Sequence, residues 1–261
     1  MAEPVLPFCA EEEKKKGDVI YEPSGRAAEY SPLALNLYDG CRHACLYCYA
    51  SHVKRITHEK FSSRANVRKD ILKRLESDCK KMSGDPRQIL LCFTSDPYQP
   101  QGCVMDVTRD ALLILEKYHM NATVLTKGGL RAAGDFDILK RNDWPFGTTL
   151  SFSSQKSASY WEPGAAWVHM RKEAIKIAHD MGVRTWVSVE PVIIPDEALA
   201  IMDELKDIVD TWKVGKINHN AELEKTLDWT KFLTDTEHVL AGKDLIIKND
   251  LEMFRGSRPC N

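Results

Sequence analysis

Cys41, Cys45 and Cys48 follow a C-x3-C-x2-C spacing within the segment GCRHACLYCYA, residues 40–50. A structural zinc site normally takes four Cys or His ligands, so three cysteines are one short of a closed tetrahedral site. A [4Fe-4S] cube held by three thiolates instead leaves one iron open to a small molecule. The spacing therefore indicates a cluster site with an open coordination position.

Two other interpretations of this segment stay open on the sequence alone. His43 or His52 would supply the fourth ligand of a zinc site. Alternatively, the three cysteines are unrelated buried thiols, which is a common environment for free cysteine.

The elements that position this segment alternate between short apolar runs and amphipathic stretches of helical period, which is typical of a parallel sheet built from βα units. The predicted strands are 33–37, 88–93, 122–126, 147–152, 184–189 and 211–215. The predicted helices are 64–82, 106–119, 164–181 and 196–209. We therefore predict an α/β fold, an open partial (β/α)6 barrel spanning 30–215, with an N-terminal arm at 1–29 and a short helical C-terminal extension at 216–261.

Polar residues follow the predicted strands at the edge where such barrels carry their active sites. The candidates at these positions are Ser95, Asp96, Lys127, Ser151 and Glu190. Hydroxyl, carboxylate and ammonium groups of this kind are the types needed to bind a polar cofactor, and each is also the type found in ordinary helix caps and loops.

Composition excludes several classes of protein. The chain has 261 residues, is 43% hydrophobic and carries a net charge of −2, so it shows no global charge signature of nucleic-acid binding. No stretch approaches the 18 apolar residues of a membrane span, and the start of the sequence has no apolar export signal. Eight cysteines in such a chain favour thiols or metal ligands in a reducing compartment, so we expect a cytoplasmic protein without a membrane partner.

Several motifs give the sequence a resemblance to a known group, the radical SAM proteins similar to spore photoproduct lyase, often described as DNA repair photolyase-like. These motifs occur in family order over roughly residues 30–215, and they are GCRHACLYCYA at 40–50, TSD at 94–96, TKGG at 126–129, LSFSS at 150–154 and WEPGA at 161–165. The resemblance implies a [4Fe-4S] cluster on the three cysteines and S-adenosylmethionine (SAM) held partly by Ser95, Lys127 and Ser151. We add Asp96 and Glu190 to the candidate cofactor-binding residues.

The family also uses aromatic residues beside the last cysteine, which here are Tyr47 and Tyr49. One interpretation is that Tyr47 packs near SAM and Tyr49 takes part in radical relay. The alternative is that both rings only shield the cluster from solvent, because aromatic side chains around a buried cofactor are expected in any case.

One position departs from the family pattern. Spore photoproduct lyase has a hydrogen-donating cysteine directly before its Thr-Ser-Asp motif, whereas this chain has Phe93. Cys92 lies one residue earlier, and strand alternation predicts that it faces away from the site. Cys103 is a candidate substitute donor, or a loop thiol without function.

The resemblance implies an enzyme that cleaves SAM and abstracts hydrogen from a substrate, with a nucleobase or DNA lesion as the candidate. Such an enzyme needs an electron donor such as flavodoxin or ferredoxin. Radical SAM modification of a peptide or tRNA is one alternative, and a zinc-binding interaction module without redox chemistry is another.

Overall fold

The computed structural model describes residues 18–100, 107–217 and 220–255, and its main element is a sheet of eight strands. The strand order is β1-β2-β5-β6-β7-β8-β9-β10. The bounds of these strands are β1 Ile20–Tyr21, β2 Leu33–Leu35, β5 Gln88–Leu91, β6 Asn121–Thr126, β7 Phe146–Thr149, β8 Thr185–Val192, β9 Thr211–Lys216 and β10 Asp244–Ile247. All neighbours are parallel except β1, which pairs antiparallel with β2. A separate antiparallel pair is formed by β3 Tyr38–Asp39 and β4 Asn66–Val67.

Helices connect the parallel strands and cover the sheet. Their bounds are α1 Ala50–Val53, α2 His58–Ser62, α3 Ile71–Lys81, α4 Thr108–Lys117, α5 Phe136–Arg141, α6 Gln155–Trp161, α7 Val168–Asp180, α8 Pro195–Leu205, α9 Ala221–Thr226, α10 Trp229–Val239 and α11 Asn249–Glu252. Two 3-10 helices lie at Gly25–Glu29 and Gly129–Asp135. Among the described residues, no helix is long and apolar enough to span a bilayer.

The predicted α/β architecture is confirmed, because the six predicted strands are β2 and β5 to β9, paired in sequence order in one open parallel sheet. These strands are buried on both sides, which explains their nearly continuous apolar sequences. The core side chains with at most 2% exposure on these strands include Leu33, Ile89, Val124, Phe146, Val187 and Trp212.

Some element bounds differ from the predictions for local reasons. The helix predicted from residue 64 begins at Ile71, because β4 occupies Asn66–Val67 and Asp70 has a left-handed φ of 53°. The strand predicted to reach residue 93 ends at Leu91. The region after residue 216 contains helices, as predicted, and also β10, which continues the parallel sheet beside β9.

Candidate active site at the carboxyl edge of the sheet

A cavity of about 510 Å³ lies at the carboxyl ends of the parallel strands. Its wall contains all three cysteines of the C-x3-C-x2-C segment. The other predicted site residues on this wall are Tyr47, Tyr49, Ser95, Asp96, Lys127 and Glu190. Of the candidates in the described residues, the structure therefore brings all but Ser151 to one cavity.

Ser151 does not lie on the cavity wall. It comes two residues after the end of β7, it is completely buried, and its Oγ has no hydrogen-bond partner among the described residues. The residue that β7 contributes to the wall is Thr149. A direct contact between Ser151 and SAM stays a prediction, and Thr149 is the better placed hydroxyl.

Backbone contacts fix the cysteine loop in place. The Cys41 N–H donates to the Phe61 carbonyl at 3.3 Å, and the Leu46 N–H donates to the Trp161 carbonyl at 2.8 Å. Gly40 enters the loop with a left-handed φ of 85°, and a Cβ there would lie 2.3 Å from the Arg64 carbonyl oxygen. Only glycine fits this position, which explains why the motif begins with Gly.

The three thiols lie in surroundings that oppose their ionisation, with Cys45 buried and Cys41 and Cys48 partly buried. Burial raises the pKa of Cys41 to about 12, and burial also raises the pKa of Cys45 and of Cys48. The negative charge of one thiolate opposes ionisation of the others, as it does between Cys45 and Cys48. A cationic metal centre that binds all three would remove this penalty, since metal ligation requires deprotonated cysteine.

The three cysteine thiols are the donor type that binds iron–sulfur clusters. No group of three His, Cys, Asp or Glu side chains in the described part of the chain is gathered as one metal ion would require. A [4Fe-4S] cube binds each thiolate to a different iron, so its three ligands lie further apart than the ligands of one zinc ion.

His43, the histidine inside the loop, is committed to other partners. Its Nε2 accepts from Arg131 Nη2 at 3.1 Å, since an arginine only donates. Its Nδ1 then carries the proton and lies 3.3 Å from Asp96 Oδ2. Both ring nitrogens are used, so this arrangement leaves His43 no nitrogen for the zinc site that the sequence left open.

Asp96 joins three parts of the cavity wall. One oxygen accepts from the Tyr98 N–H at 2.8 Å and from Thr126 Oγ1 at 2.6 Å, and the other accepts from the Lys127 N–H at 2.8 Å beside His43. Burial opposes its ionisation, but His43 and the hydrogen bonds hold the pKa of Asp96 below its usual value. This geometry favours a positioning role for Asp96 over direct contact with a cofactor.

Gln99 contacts a predicted cluster ligand and was missed by the sequence analysis. Its Nε2 donates to Cys41 Sγ at 3.4 Å and to Ser95 Oγ at 3.3 Å, while its Oε1 accepts from the Arg42 N–H at 2.9 Å. Ser95 Oγ in turn donates to the Gly40 carbonyl at 2.7 Å. The available signal was that the polar run TSDPYQ extends beyond Asp96 to Gln99.

Lys127 places a cation on the cavity wall that also carries the three cysteines. Its Nζ lies 5.6 Å from the centroid of the Tyr47 ring. Burial would lower the pKa of Lys127, but the charges of Cys45 and Glu162 outweigh burial and raise it. The side chain therefore stays protonated at neutral pH and is suited to a carboxylate ligand.

Tyr47 is held by a buried ion pair from the Trp-Glu-Pro-Gly segment. Its hydroxyl donates to Glu162 Oε1, and Glu162 Oε2 lies 2.6 Å from Arg171 Nη1. Glu162 is 2% exposed and Arg171 is 1% exposed. Arg171 Nη1 also donates to the Thr149 carbonyl at 3.0 Å, so this network links the cysteine loop to the end of β7.

Tyr49 lies at the opening of the cavity rather than in its depth. Its side chain is 38% exposed, and its hydroxyl donates to the Phe93 carbonyl at 3.1 Å. Val53, one turn later on α1, also lines the cavity and is 61% exposed. The two residues form part of the rim.

Phe93 and Cys92 both line the cavity, which contradicts the expectation that Cys92 faces away. The expectation assumed that strand alternation continues through residue 93, but β5 ends at Leu91. Beyond the strand end, successive side chains need not point to opposite faces. Cys103 lies outside the described residues.

Glu190 is bound by residues from both ends of the described chain. Tyr30 donates its hydroxyl to Glu190 Oε2, Lys248 Nζ lies 3.3 Å from the same oxygen, and Arg26 Nη2 lies 3.4 Å from Oε1. Lys248 is only 2% exposed and also lies 3.7 Å from the centroid of the Tyr30 ring. Glu190 therefore anchors the N-terminal 3-10 helix and the residue after β10 to the end of β8.

Comparison with solved structures identifies the architecture. A variant of spore photoproduct lyase matches with a TM-score of 0.63 at 12% identity, over 87% of this chain and 79% of that one. Streptococcus suis SuiB bound to S-adenosylmethionine matches with a TM-score of 0.64 at 12% identity over 85% of this chain. The fold is that of the radical SAM enzymes. The chain spans 52% of the length of SuiB.

Sequence comparisons are less informative than the fold. No protein-family model matches the chain. An uncharacterized protein from Methanocaldococcus jannaschii is 26% identical over 194 residues, which cover 73% of this chain and 72% of that protein. An uncharacterized protein from the Acidianus two-tailed virus is 26% identical over 231 residues, which cover 78% and 74% of the two chains.

Proposed function

We propose that this protein is a radical SAM enzyme whose [4Fe-4S] cluster is held by Cys41, Cys45 and Cys48. The observation that carries the proposal is the presence of all three thiols on the wall of one cavity, at the carboxyl edge of a sheet with the radical SAM fold. When bound, the cluster and SAM supply a 5'-deoxyadenosyl radical for hydrogen abstraction from a substrate.

The residues of the chain bind and orient. Lys127 offers its ammonium to the SAM carboxylate, and Gln99 donates to the Cys41 sulfur and so stabilises the thiolate. Asp96 fixes the main-chain position of Lys127 by accepting a hydrogen bond from its backbone N–H. Tyr47 and Phe93 line the cavity with aromatic surface, which excludes water from a reactive radical.

For the substrate, we propose a nucleobase within a nucleic acid. Supporting this, Lys54 and Arg55 are exposed directly after Val53, which forms part of the cavity rim, and Lys60 follows on α2. Cations beside an opening attract a phosphate backbone. Spore photoproduct lyase, a structural neighbour, has been solved with a dinucleoside spore photoproduct bound.

A peptide substrate is the second candidate. The observation that favours it is the match to SuiB bound to its precursor peptide SuiA, with a TM-score of 0.52 over 67% of this chain. A peptide would enter through the same rim at Tyr49 and Val53.

Cluster binding is tested by replacing Cys41, Cys45 or Cys48 with Ala. We expect anaerobically reconstituted wild type to contain about four iron and four sulfide per chain and to release 5'-deoxyadenosine from SAM with dithionite. Each variant should lose this cleavage because one iron loses its ligand. Cys79→Ala is the matched control, since Cys79 is a buried thiol on α3 away from the cavity wall. One zinc per wild-type chain, or normal cleavage by the triple variant, would contradict the proposal.

Lesion repair is tested with a dinucleotide spore lesion. We expect wild type to cleave SAM but to repair the lesion poorly, because Phe93 replaces the donor cysteine of spore photoproduct lyase. Phe93→Cys should raise the ratio of repaired product to radical-derived adducts. If wild type and Cys103→Ala both repaired the lesion without adducts, two hypotheses would be wrong: that this protein lacks an efficient hydrogen donor, and that Cys103 serves as the substitute donor.

A further inference from the structure

The part of the cavity around Glu190 is formed by residues that lie far apart in the sequence. Glu190 lies on β8, Tyr30 follows the 3-10 helix Gly25–Glu29, and Lys248 follows β10. We call this part of the wall the Glu190 subsite, and its members are Arg26, Tyr30, Ser188, Glu190 and Lys248. The proposed function assigns no role to these side chains.

The hydrogen bonds of the subsite converge on the Glu190 carboxylate. Tyr30 donates its single hydroxyl proton to Glu190 Oε2, so Ser188 Oγ donates to the Tyr30 hydroxyl at 2.8 Å. Lys248 Nζ lies 3.3 Å from the same Oε2. Among the described residues, the contact of Oε1 is Arg26 Nη2 at 3.4 Å. A carboxylate oxygen accepts two hydrogen bonds, so Oε1 retains capacity for a donor from a ligand.

The neighbouring strand β9 leaves room for the carboxyl group of Glu190. A Cβ at Gly215 would lie 2.8 Å from Glu190 Cδ and 3.0 Å from its Oε2, so a larger residue at 215 would displace the carboxyl group. A glycine inside a strand often marks such a close approach. The position of the carboxylate on the cavity wall therefore depends on the packing of β8 against β9.

The cations of the subsite already have carboxylate partners. Arg26 Nη2 lies 2.5 Å from Asp250 Oδ2, and Lys248 pairs with Glu190. Lys213 is a third cation nearby, but its Nζ donates to a backbone carbonyl at 3.0 Å and the residue is not on the cavity wall. An anionic ligand would have to displace one of the carboxylates and leave its charge uncompensated. A neutral ligand with both a donor and an acceptor fits this compensated set better.

A flat apolar surface lies beside the subsite. The Phe93 ring lines the cavity and meets the Tyr30 ring edge to face, with centroids 5.9 Å apart. The main chain of Phe93 is fixed on both sides, since its N–H donates to Asn36 Oδ1 at 2.9 Å and its carbonyl accepts from the Tyr49 hydroxyl at 3.1 Å. Because Tyr30 joins this ring to Glu190, a planar ligand stacked on Phe93 would have the carboxylate at its edge.

We propose that the Glu190 subsite binds the substrate rather than SAM, and that its ligand is a neutral nitrogen heterocycle with a ring N–H beside an acceptor atom. The N–H donates to Glu190 Oε1, the acceptor takes a hydrogen bond from Arg26, and the ring stacks on Phe93. Proteins recognise a base that has left its stack by edge hydrogen bonds and aromatic stacking of this kind. The inference rests on the proposed function, because it names the part of the substrate that the same cavity holds.

The adenine ring of SAM is the competing ligand for this subsite. Lys127, the candidate for the SAM carboxylate, contacts a different set of groups, with the Tyr47 ring beside its ammonium and Asp96 at its backbone N–H. The Glu190 subsite instead takes Arg26, Tyr30 and Lys248 from the segments that flank the six βα units. This separation favours the substrate.

Two oligonucleotide probes test the predicted N–H contact. A fluorescent thymidine pentanucleotide is compared with the same oligonucleotide methylated at N3 of each base, using reconstituted protein with SAM and no reductant. By anisotropy, wild type should bind the unmethylated probe about tenfold more tightly, because the methylated base leaves the carboxylate without its donor. The phosphate contacts are common to both probes and cancel in the ratio of their dissociation constants. Equal affinities, or no binding of either probe, would overturn the proposal.

Variants of Glu190 show whether the carboxylate causes this preference. Glu190→Leu should abolish it, and Glu190→Gln should reduce it about threefold, since an uncharged acceptor forms a weaker hydrogen bond. Partial unfolding does not change a ratio measured for two ligands on the same protein. Glu116→Gln is the matched control, because Glu116 is a carboxylate that pairs with Arg141 away from the cavity wall. A wild-type ratio in either Glu190 variant would overturn the proposal.

Titration with SAM separates the substrate from the cofactor. Glu190→Gln should leave the dissociation constant of SAM within about twofold of wild type, because the variant keeps the shape of the side chain. A roughly tenfold weaker SAM affinity would assign Glu190 to the cofactor and overturn the proposal. A wild-type protein that distinguishes the two probes but releases no 5'-deoxyadenosine from SAM with dithionite would instead contradict the proposed function alone.

Discussion

At the scale of single residues, Lys127 contributes a positive charge to the part of the cavity wall that carries the cysteine thiols. Its pKa is raised because Cys45 and Glu162 lie close enough to outweigh burial. A protonated ammonium in such a place attracts a carboxylate ligand strongly, since both groups are shielded from water. Its backbone N–H is separately fixed by Asp96, so its main-chain position does not depend on its side chain.

Replacing Lys127 with Ala should therefore weaken SAM binding without loss of the cluster. A charge-assisted hydrogen bond is worth about 1.5 to 3 kcal/mol, which predicts a roughly ten- to hundredfold higher dissociation constant. Equilibrium titration of the reconstituted protein with SAM measures the effect, and iron content checks the cluster. Lys140→Ala, at the end of α5, is the control. An unchanged affinity would remove Lys127 from the cofactor site.

At the scale of elements, the connection from α6 to α7 supports the cysteine loop. It supplies the Trp161 carbonyl to Leu46, the close contact of Gly164, and the Glu162–Arg171 pair that holds Tyr47. The pair is fully enclosed, so its charges depend on each other for compensation. A buried ion pair gives little stability compared with an apolar pair of the same shape, yet it is costly to break.

Glu162→Gln should consequently destabilise the protein by about 3 to 5 kcal/mol, because Arg171 would remain buried without a counter-charge. Urea unfolding monitored by circular dichroism measures the change. Lys172 lies on the same helix as Arg171, α7, and forms an exposed ion pair with Glu204. Removing this pair by Glu204→Gln should cost less than about 1 kcal/mol of unfolding free energy. If the two variants unfold at the same urea concentration, the Glu162 pair has no special structural role.

At the scale of the whole molecule, the open barrel is completed by chain segments far apart in sequence. The 3-10 helix Gly25–Glu29 and the residues after β10 meet at Glu190, and both contribute to the cavity wall. Lys248 is central to this contact, since its Nζ also donates to the Arg26 carbonyl at 3.2 Å. Cavity shape thus depends on the flanking segments as well as on the βα units.

Lys248→Met is expected to lower the free energy of unfolding by about 3 kcal/mol. This value is at the lower end of the range for breaking a buried ion pair, because Arg26 still compensates the charge of Glu190. Lys243→Met is the control, because the contact between Lys243 and Asp207 is on the surface. Its loss should change the free energy of unfolding by less than about 1 kcal/mol. Both values come from urea unfolding. A Lys248 variant as stable as the control would show that the flanking segments are held by other contacts.

The sequence by itself determined the features that are written in local patterns. The spacing of Cys41, Cys45 and Cys48 pointed to the loop that the structure places on the cavity wall, and the apolar runs gave the six parallel strands in their correct order. Parallel strands place their carboxyl ends on one edge of the sheet. The positions of Ser95, Asp96 and other polar residues directly after the strands were therefore enough to predict that these residues lie together at that edge.

Only the tertiary structure decided which of these side chains face the cavity and what else they contact. Cys92 reaches the wall because β5 ends before it, while Ser151 is buried elsewhere, and neither direction follows from periodicity beyond a strand end. His43 is bound by Arg131, 88 residues later in the chain. Such contacts join residues whose separation along the chain carries no local signal, so they emerge only when the packed elements bring them together.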